Sequence, residues 1–285
     1  TISIRVHGPL KEDIMAEYAL SMDGRTAYME MAAASGLTLV PQDRRNPMVT
    51  TTYGVGEMIA DAVRRGCKTI IMGLGGSATC DGGRGMIMAL RDNDCLNPDC
   101  DVIAACDVSN PLFGRNGAAY IFAPQKGATP EQVALLDNHL RTFARETELA
   151  GIASPCLADY PGAGAAGGLG YALLAYLKAE LHSGIDIMID LATFDEAIKD
   201  ADLVVTGDGK SDEQTLMGKV PHGVLRRCKK LGVPVWLLSG SIEDTSGILT
   251  NSFDFIRSIN DGDNRPISVL LQADVAKENL TKTMK

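Results

Sequence analysis

Lys68-Thr69-Ile70-Ile71-Met72-Gly73-Leu74-Gly75-Gly76-Ser77-Ala78-Thr79-Cys80-Asp81-Gly82-Gly83-Arg84-Gly85-Met86 passes from an apolar segment directly into a glycine-rich one. Residues 68–74 are apolar on both faces, which suits a strand covered by helices on either side. The glycines that follow lack a Cβ, so backbone N–H groups can approach an oxyanion, and a helix starting near Met86 adds the positive end of its dipole. Strand, glycine loop and helix in this order point to an open α/β sheet with a phosphate or carboxylate at the strand's carboxyl end. Gly73-x-Gly75-x-x-Ala78 also fits the loose dinucleotide pattern. That reading is weak, because Asp81-Gly82-Gly83 interrupts the required helix start and no ribose-binding acid closes a second strand.

Outward from this loop, apolar runs alternate with amphipathic helices, the signal for a mainly parallel α/β sheet. Further strands are expected at 26–32, 101–106, 118–123, 185–190, 202–206, 233–239 and 253–259. Val55, Met58, Ile59, Ala62 and Val63 recur at helical spacing, and Gly66 closes that helix. Thr129-Pro130-Glu131-Gln132 supplies an N-cap, a proline at N1 and a glutamine at N3 for the next helix. Helices are also expected at 168–181, 221–231 and 270–282, with loop at 91–100. Met86 and Met88 read as core, and a domain boundary falls near 195.

The chain has 285 residues, with 27 Lys+Arg against 36 Asp+Glu and a net charge of −9. An acidic chain excludes nucleic-acid binding through a global basic field. No apolar run reaches the roughly 18 residues of a membrane span, so no membrane and no nucleic-acid partner is expected, and a cytoplasmic location is. Seven cysteines without a Cys-x-x-Cys argue against a disulfide framework or a zinc site.

Three more segments carry candidate chemistry. Residues 206–221, Thr-Gly-Asp-Gly-Lys-Ser-Asp-Glu-Gln-Thr-Leu-Met-Gly-Lys-Val-Pro, follow a strand and place Asp208, Lys210, Asp212 and Lys219 in one turn. The spacing is not a P-loop, yet cations and carboxylates of this kind are what phosphoryl transfer uses; a merely solvated charged loop is the alternative. Pro161-Gly162-Ala163-Gly164-Ala165-Ala166-Gly167-Gly168-Leu169-Gly170 opens a helix, either as an anion site or as close packing on small residues. Ala105-Cys106-Asp107-Val108-Ser109-Asn110-Pro111-Leu112 and Pro124-Gln125-Lys126-Gly127 contribute Asp107, Asn110 and Lys126 as candidates only in company. The four histidines form no cluster; His139 reads as structural or solvated, and His222 lies beside Lys219.

Taken together, these segments resemble the bacterial glycerate kinase family, through Gly-Gly-Ser-Ala-Thr and Asp-Gly-Gly at 75–79 and 81–83, and through 105–112, 124–129, 161–170 and 206–221. The similarity runs through nearly the whole chain. It implies ATP-dependent phosphorylation of D-glycerate with Mg²⁺ in organic acid metabolism, more usually to 2-phosphoglycerate than to 3-phosphoglycerate. It also implies two α/β domains: residues 1–195 as a mixed domain likened to restriction endonucleases and carrying the glycine-rich substrate loops, and 196–285 as a flavodoxin-like domain with a parallel sheet.

Departures accompany the resemblance. Position 80 is Cys where the family mostly has Asn, 208 is Asp for Glu, and 210 is Lys for Arg, which loses a bidentate clamp. A Pro-Asp-Ser-x-Lys segment and a longer stretch between Leu90 and Ala105 have no counterpart, so 285 is expected to be a lower bound on the length.

By chemical type, Gly75, Gly76, Ser77, Thr79, Gly82 and Gly83 are expected to bind substrate carboxylate or phosphate, with Asp107, Asn110, Lys126, Gly164, Gly167, Gly168, Lys210, Gln214 and Thr215 contributing. Asp212 or Asp81 would deprotonate the glycerate hydroxyl, Asp208 would hold Mg²⁺, and Lys210 and Lys219 would neutralise the transferring phosphate. The partners are then D-glycerate and ATP, with a homodimer left open. A kinase for a related hydroxy acid and a non-catalytic carboxylate-binding protein are the rival readings.

Overall fold

The structure is a computed structural model and describes residues 1–284. It is α/β and divides into two compact units, Thr1–Gly184 and Ile185–Lys285.

The first unit is built on a six-stranded sheet whose order follows the sequence: β1 (Ile2–His7), β2 (Asp13–Leu20), β3 (Thr26–Glu30), β4 (Thr69–Gly73), β5 (Asp101–Ala105) and β6 (Glu180–His182). β1, β2 and β3 pair antiparallel, whereas β3 through β6 are parallel. The antiparallel hairpin was not anticipated, although Ile2, Ile4 and Val6 alternate with Ser3, Arg5 and His7 as a half-buried strand should.

Helix Tyr53–Arg64 buries Val55, Met58, Ile59 and Ala62, the stripe that predicts it. Helix Pro130–Leu149 begins at Thr129 with the expected reciprocal cap: the Thr129 N–H donates to Gln132 Oε1 at 2.9 Å, and Gln132 N–H donates to Thr129 Oγ1 at 3.3 Å. Met58, Ile59, Ile70, Met72, Met86, Leu90, Leu169 and Leu173 are fully buried and form the centre of this unit. Met88 is not core; it is 56% exposed, because residues two apart on the helix Arg84–Asp92 cannot share a face.

Two expected strands are helices. Residues 118–123 form the helix Ala118–Phe122, which buries Ala118 and Ala119; a short apolar run has no period that separates a buried strand from a buried helix. Residues 185–190 belong to the helix Gly184–Leu191. Ile-Asp-Ile-Met-Ile-Asp alternates as a strand would, but Ile185 and Ile189 pack on Gly223, while Asp186 and Asp190 reach Arg226 and Arg227. These are i,i+4 pairs, and tertiary contact selects the helical period.

The second unit carries a parallel sheet, β7 (Val204–Ser211), β8 (Val235–Ile242) and β9 (Phe255–Ser258), in that order. Val224, Leu225 and Cys228 of the helix Val220–Leu231 join Val235, Leu237, Leu249 and Phe253 in its core. β7 extends through Ser211, so Asp208 and Lys210 lie on the strand and not in the turn that follows. Among the described residues, no helix is long and apolar enough to cross a membrane.

Candidate active site

The carboxyl ends of β4 and β5 open into a pocket of about 390 Å³ within the first unit. Gly75, Gly76 and Ser77 line it from the β4 side, Cys106 and Asp107 from the β5 side, and Gln125 and Lys126 close it.

Lys126 is 2% exposed. Its ammonium donates to Ser77 Oγ at 2.6 Å and to the Thr79 carbonyl at 2.7 Å, and among the described residues it makes no ion pair. Burial pushes its pKa down to about 8, against the opposing pull of Cys80 and Asp81. An ammonium has three donors, and two are engaged. The third remains for a ligand.

Beside this cation the loop is pinned from both ends. Leu37 N–H donates to Gly76 O at 2.8 Å and Ala78 N–H to Ser35 O at 2.9 Å. Thr50 Oγ1 donates to Ala78 O at 3.0 Å. Between these ties, the N–H groups of Gly75, Gly76 and Ser77 donate no hydrogen bond within the protein, among the described residues. Three consecutive free amides and a buried ammonium make an oxyanion cradle. Among the described residues, Thr79 Oγ1 is buried without a partner.

Asp81 does not line this pocket. Its Oδ2 accepts the Thr52 N–H at 2.9 Å, the Thr52 hydroxyl at 2.8 Å and the Gly85 N–H at 3.1 Å, while Oδ1 accepts the Gly83 N–H at 3.0 Å. Thr52 Oγ1 in turn accepts the Met86 N–H at 3.0 Å. Thr52 was missed by sequence reasoning, and no local pattern marks a partner 29 residues away. Gln125 and Cys106, also unassigned, could have been found as the neighbours of Lys126 and Asp107.

The glycines of 161–170 fill a packing role. A Cβ on Gly167, whose φ is +69°, would fall 2.0 Å from the Thr79 carbonyl, and Gly82 N–H donates to Gly167 O at 3.0 Å. Gly164 and Gly168 likewise abut Pro111 O and the Gly82 Cα, so this segment is a floor beneath the loop. Ala165 and Ala166 reach the pocket. Gly82 packs on Leu140 and Phe143, and Gly83 on Ala172. Asn110 Nδ2 donates to Asn116 O at 2.8 Å, and Asp107 Oδ1 accepts the Gly184 N–H at 2.8 Å.

In the second unit, Asp208 and Lys219 form an ion pair at 3.1 Å. Asp212 accepts the Gln214 N–H at 3.0 Å, and its own N–H donates to the Thr215 hydroxyl at 3.1 Å, fixing the turn Glu213–Leu216. Lys210 pairs with Glu243 at 2.7 Å on the surface. Burial and Arg226 together push the His222 imidazole below its usual pKa.

The glycerate kinase family model matches residues 1–96 and 91–285. The chain belongs to the glycerate kinase family. It is 45% identical over 271 residues to the glycerate 2-kinase of Escherichia coli (strain K12), covering 86% of this chain and 71% of that one. It is 44% identical to the glycerate kinase of Bacillus subtilis (strain 168), covering 90% and 74%. A crystal structure provisionally assigned as a glycerate kinase 2 from Salmonella typhimurium LT2 superposes with a TM-score of 0.76 at 40% identity, covering 90% of this chain and 74% of that one.

For a glycerate kinase family chain, Cys80 is a quiet departure. It is buried, and desolvation raises its thiol to about 11, so it behaves as a small apolar group. Among the described residues no three His, Cys, Asp or Glu side chains gather into a metal cage. Asp208 offers a single carboxylate, already paired with Lys219 at 3.1 Å, and a cation that draws most of its ligands from water and phosphate needs no more than one or two from the protein.

Proposed function

We propose that this chain transfers the γ-phosphoryl group of ATP to the 2-hydroxyl of D-glycerate, giving 2-phosphoglycerate and ADP. The observation that carries this is the cradle of Lys126, Ser77 and the amides of Gly75–Ser77, whose charge and size suit the carboxylate of a small hydroxy acid. Asp107 stands across the pocket and suits a substrate hydroxyl.

Asp212 accepts the hydroxyl proton as the oxygen attacks phosphorus and the bridging bond to ADP breaks. Asp81 is less suited to that task, because four donors already occupy its carboxylate. It acts as a positioning residue. Lys219 and Lys210 neutralise charge on the transferring group. Asp208 would hold Mg²⁺, which supplies further charge neutralisation at the phosphates. The name of the E. coli relative, glycerate 2-kinase, supports the 2-hydroxyl as acceptor.

The test is a coupled ADP-release assay with D-glycerate, tartronate and hydroxypyruvate, followed by phosphorus NMR of the product. Turnover with D-glycerate and a 2-phospho product is expected. Turnover confined to another acid, or a 3-phospho product, overturns the assignment.

A further inference from the structure

The second unit holds a polar pocket of about 440 Å³ that the roles above do not use. It opens at the carboxyl end of β9, the customary ligand position in a parallel sheet. Arg257, Ser258, Asp261, Gly262, Asn264 and Lys282 are among its walls.

Its frame is rigidly built. Asn279, 5% exposed, donates to Asn260 Oδ1 at 2.9 Å and Asp263 Oδ2 at 3.0 Å. Asn260 Nδ2 and Ser258 Oγ both donate to Gly240 O, at 2.8 and 3.0 Å. Arg265 grips both oxygens of Asp263 at 3.0 and 2.6 Å, which holds that carboxyl far below its usual pKa and spends its charge. Lys282 leans on Glu278 at 2.6 Å. Arg257, exposed at the penultimate position of β9, forms no hydrogen bond or ion pair among the described residues.

The same sheet edge carries the phosphoryl-transfer candidates. Asp208 is in register with Ser239, and Ser239 with Ser258. Two strand spacings, roughly 10 Å, therefore separate the Asp208–Lys219 pair from the mouth of this pocket. We infer that the pocket holds the phosphate chain of the nucleotide, with Arg257 and Lys282 on its oxygens and the terminal phosphate directed along the edge toward Lys219. The inference rests on the kinase reading and gives it a nucleotide site.

The experiment compares wild type with Arg257→Ala, Lys282→Ala and Arg257→Lys by calorimetric titration of ATP and of inorganic phosphate, with D-glycerate as the control ligand. Loss of a charge-assisted contact is expected to weaken ATP about tenfold or more and to raise its KM in parallel. D-glycerate affinity should stay unchanged, and Arg257→Lys should recover part of the loss. ATP affinity unaltered in both alanine variants overturns the site while the kinase reading stands. Equal weakening of phosphate alone, with ATP untouched, also overturns it. A wild-type chain that binds D-glycerate and neither binds nor consumes ATP overturns both.

Discussion

The Asp81 carboxylate accepts both the backbone N–H and the hydroxyl of Thr52, at 2.9 and 2.8 Å. One side chain thus ties the end of the glycine loop to the start of the helix Tyr53–Arg64 and to Gly83 and Gly85.

Because that tie has two ends, breaking either should give the same phenotype. Asp81→Asn and Thr52→Val are each expected to lower unfolding stability by about 1–3 kcal/mol, read from urea denaturation, and to raise the D-glycerate KM similarly. A collapse of kcat in Asp81→Asn with Thr52→Val near wild type would instead make Asp81 the base.

On the proposed role, Lys126 sets the alkaline side of a pH profile. Its pKa lies near 8, so the ammonium is charged below that value and neutral above it. D-glycerate KM is therefore expected to be flat from pH 6 to 7.5 and to rise once pH passes about 8. The linkage to stability has the opposite sense. Between about 8 and the usual lysine value near 10.4 the unfolded chain binds more protons than the folded one, so this group's contribution to stability increases with pH. A KM that is level to pH 9.5 would remove Lys126 from substrate binding.

Asp212→Asn should leave the fold intact, since asparagine caps a turn as aspartate does, and should reduce kcat by about 10²–10⁴. Circular dichroism and single-turnover kinetics check the two halves. Near-wild-type turnover would eliminate this carboxylate as the proton acceptor.

Gly167→Ala combines a left-handed φ with a Cβ placed 2.0 Å from Thr79 O. It is expected to cost about 2–5 kcal/mol. Gly75→Ala, with nothing within 4 Å and no positive φ, should stay within about 0.5 kcal/mol. Matched denaturation curves decide.

The strands β3, β4, β5, β7 and β8 were legible as short apolar runs, the helix at 53–64 from its apolar stripe and the helix at 130–149 from its stripe and cap. Ala118–Phe122 and Gly184–Leu191 were not, because segments of five to eight residues satisfy two periods until tertiary packing, such as that of Ile185 and Ile189 on Gly223, selects one. In the site, Lys126 and Ser77 could each be named from their motifs, but a contact across 49 residues belongs to the fold. Asp81 was visible as a carboxylate among glycines. That its lone pairs are occupied by Thr52 and the helix start could only come from three dimensions.

Lys126 has a further consequence for discrimination among polyols. Its ammonium is stripped of water when the chain folds, so an entering carboxylate meets a cation that has no hydration shell left to shed. An uncharged relative of the same size, such as glycerol or glyceraldehyde, would be desolvated in the same way and offer no compensating charge. If Lys126 receives the substrate carboxylate as proposed, rejection of neutral three-carbon compounds follows from the folded state before any ligand arrives.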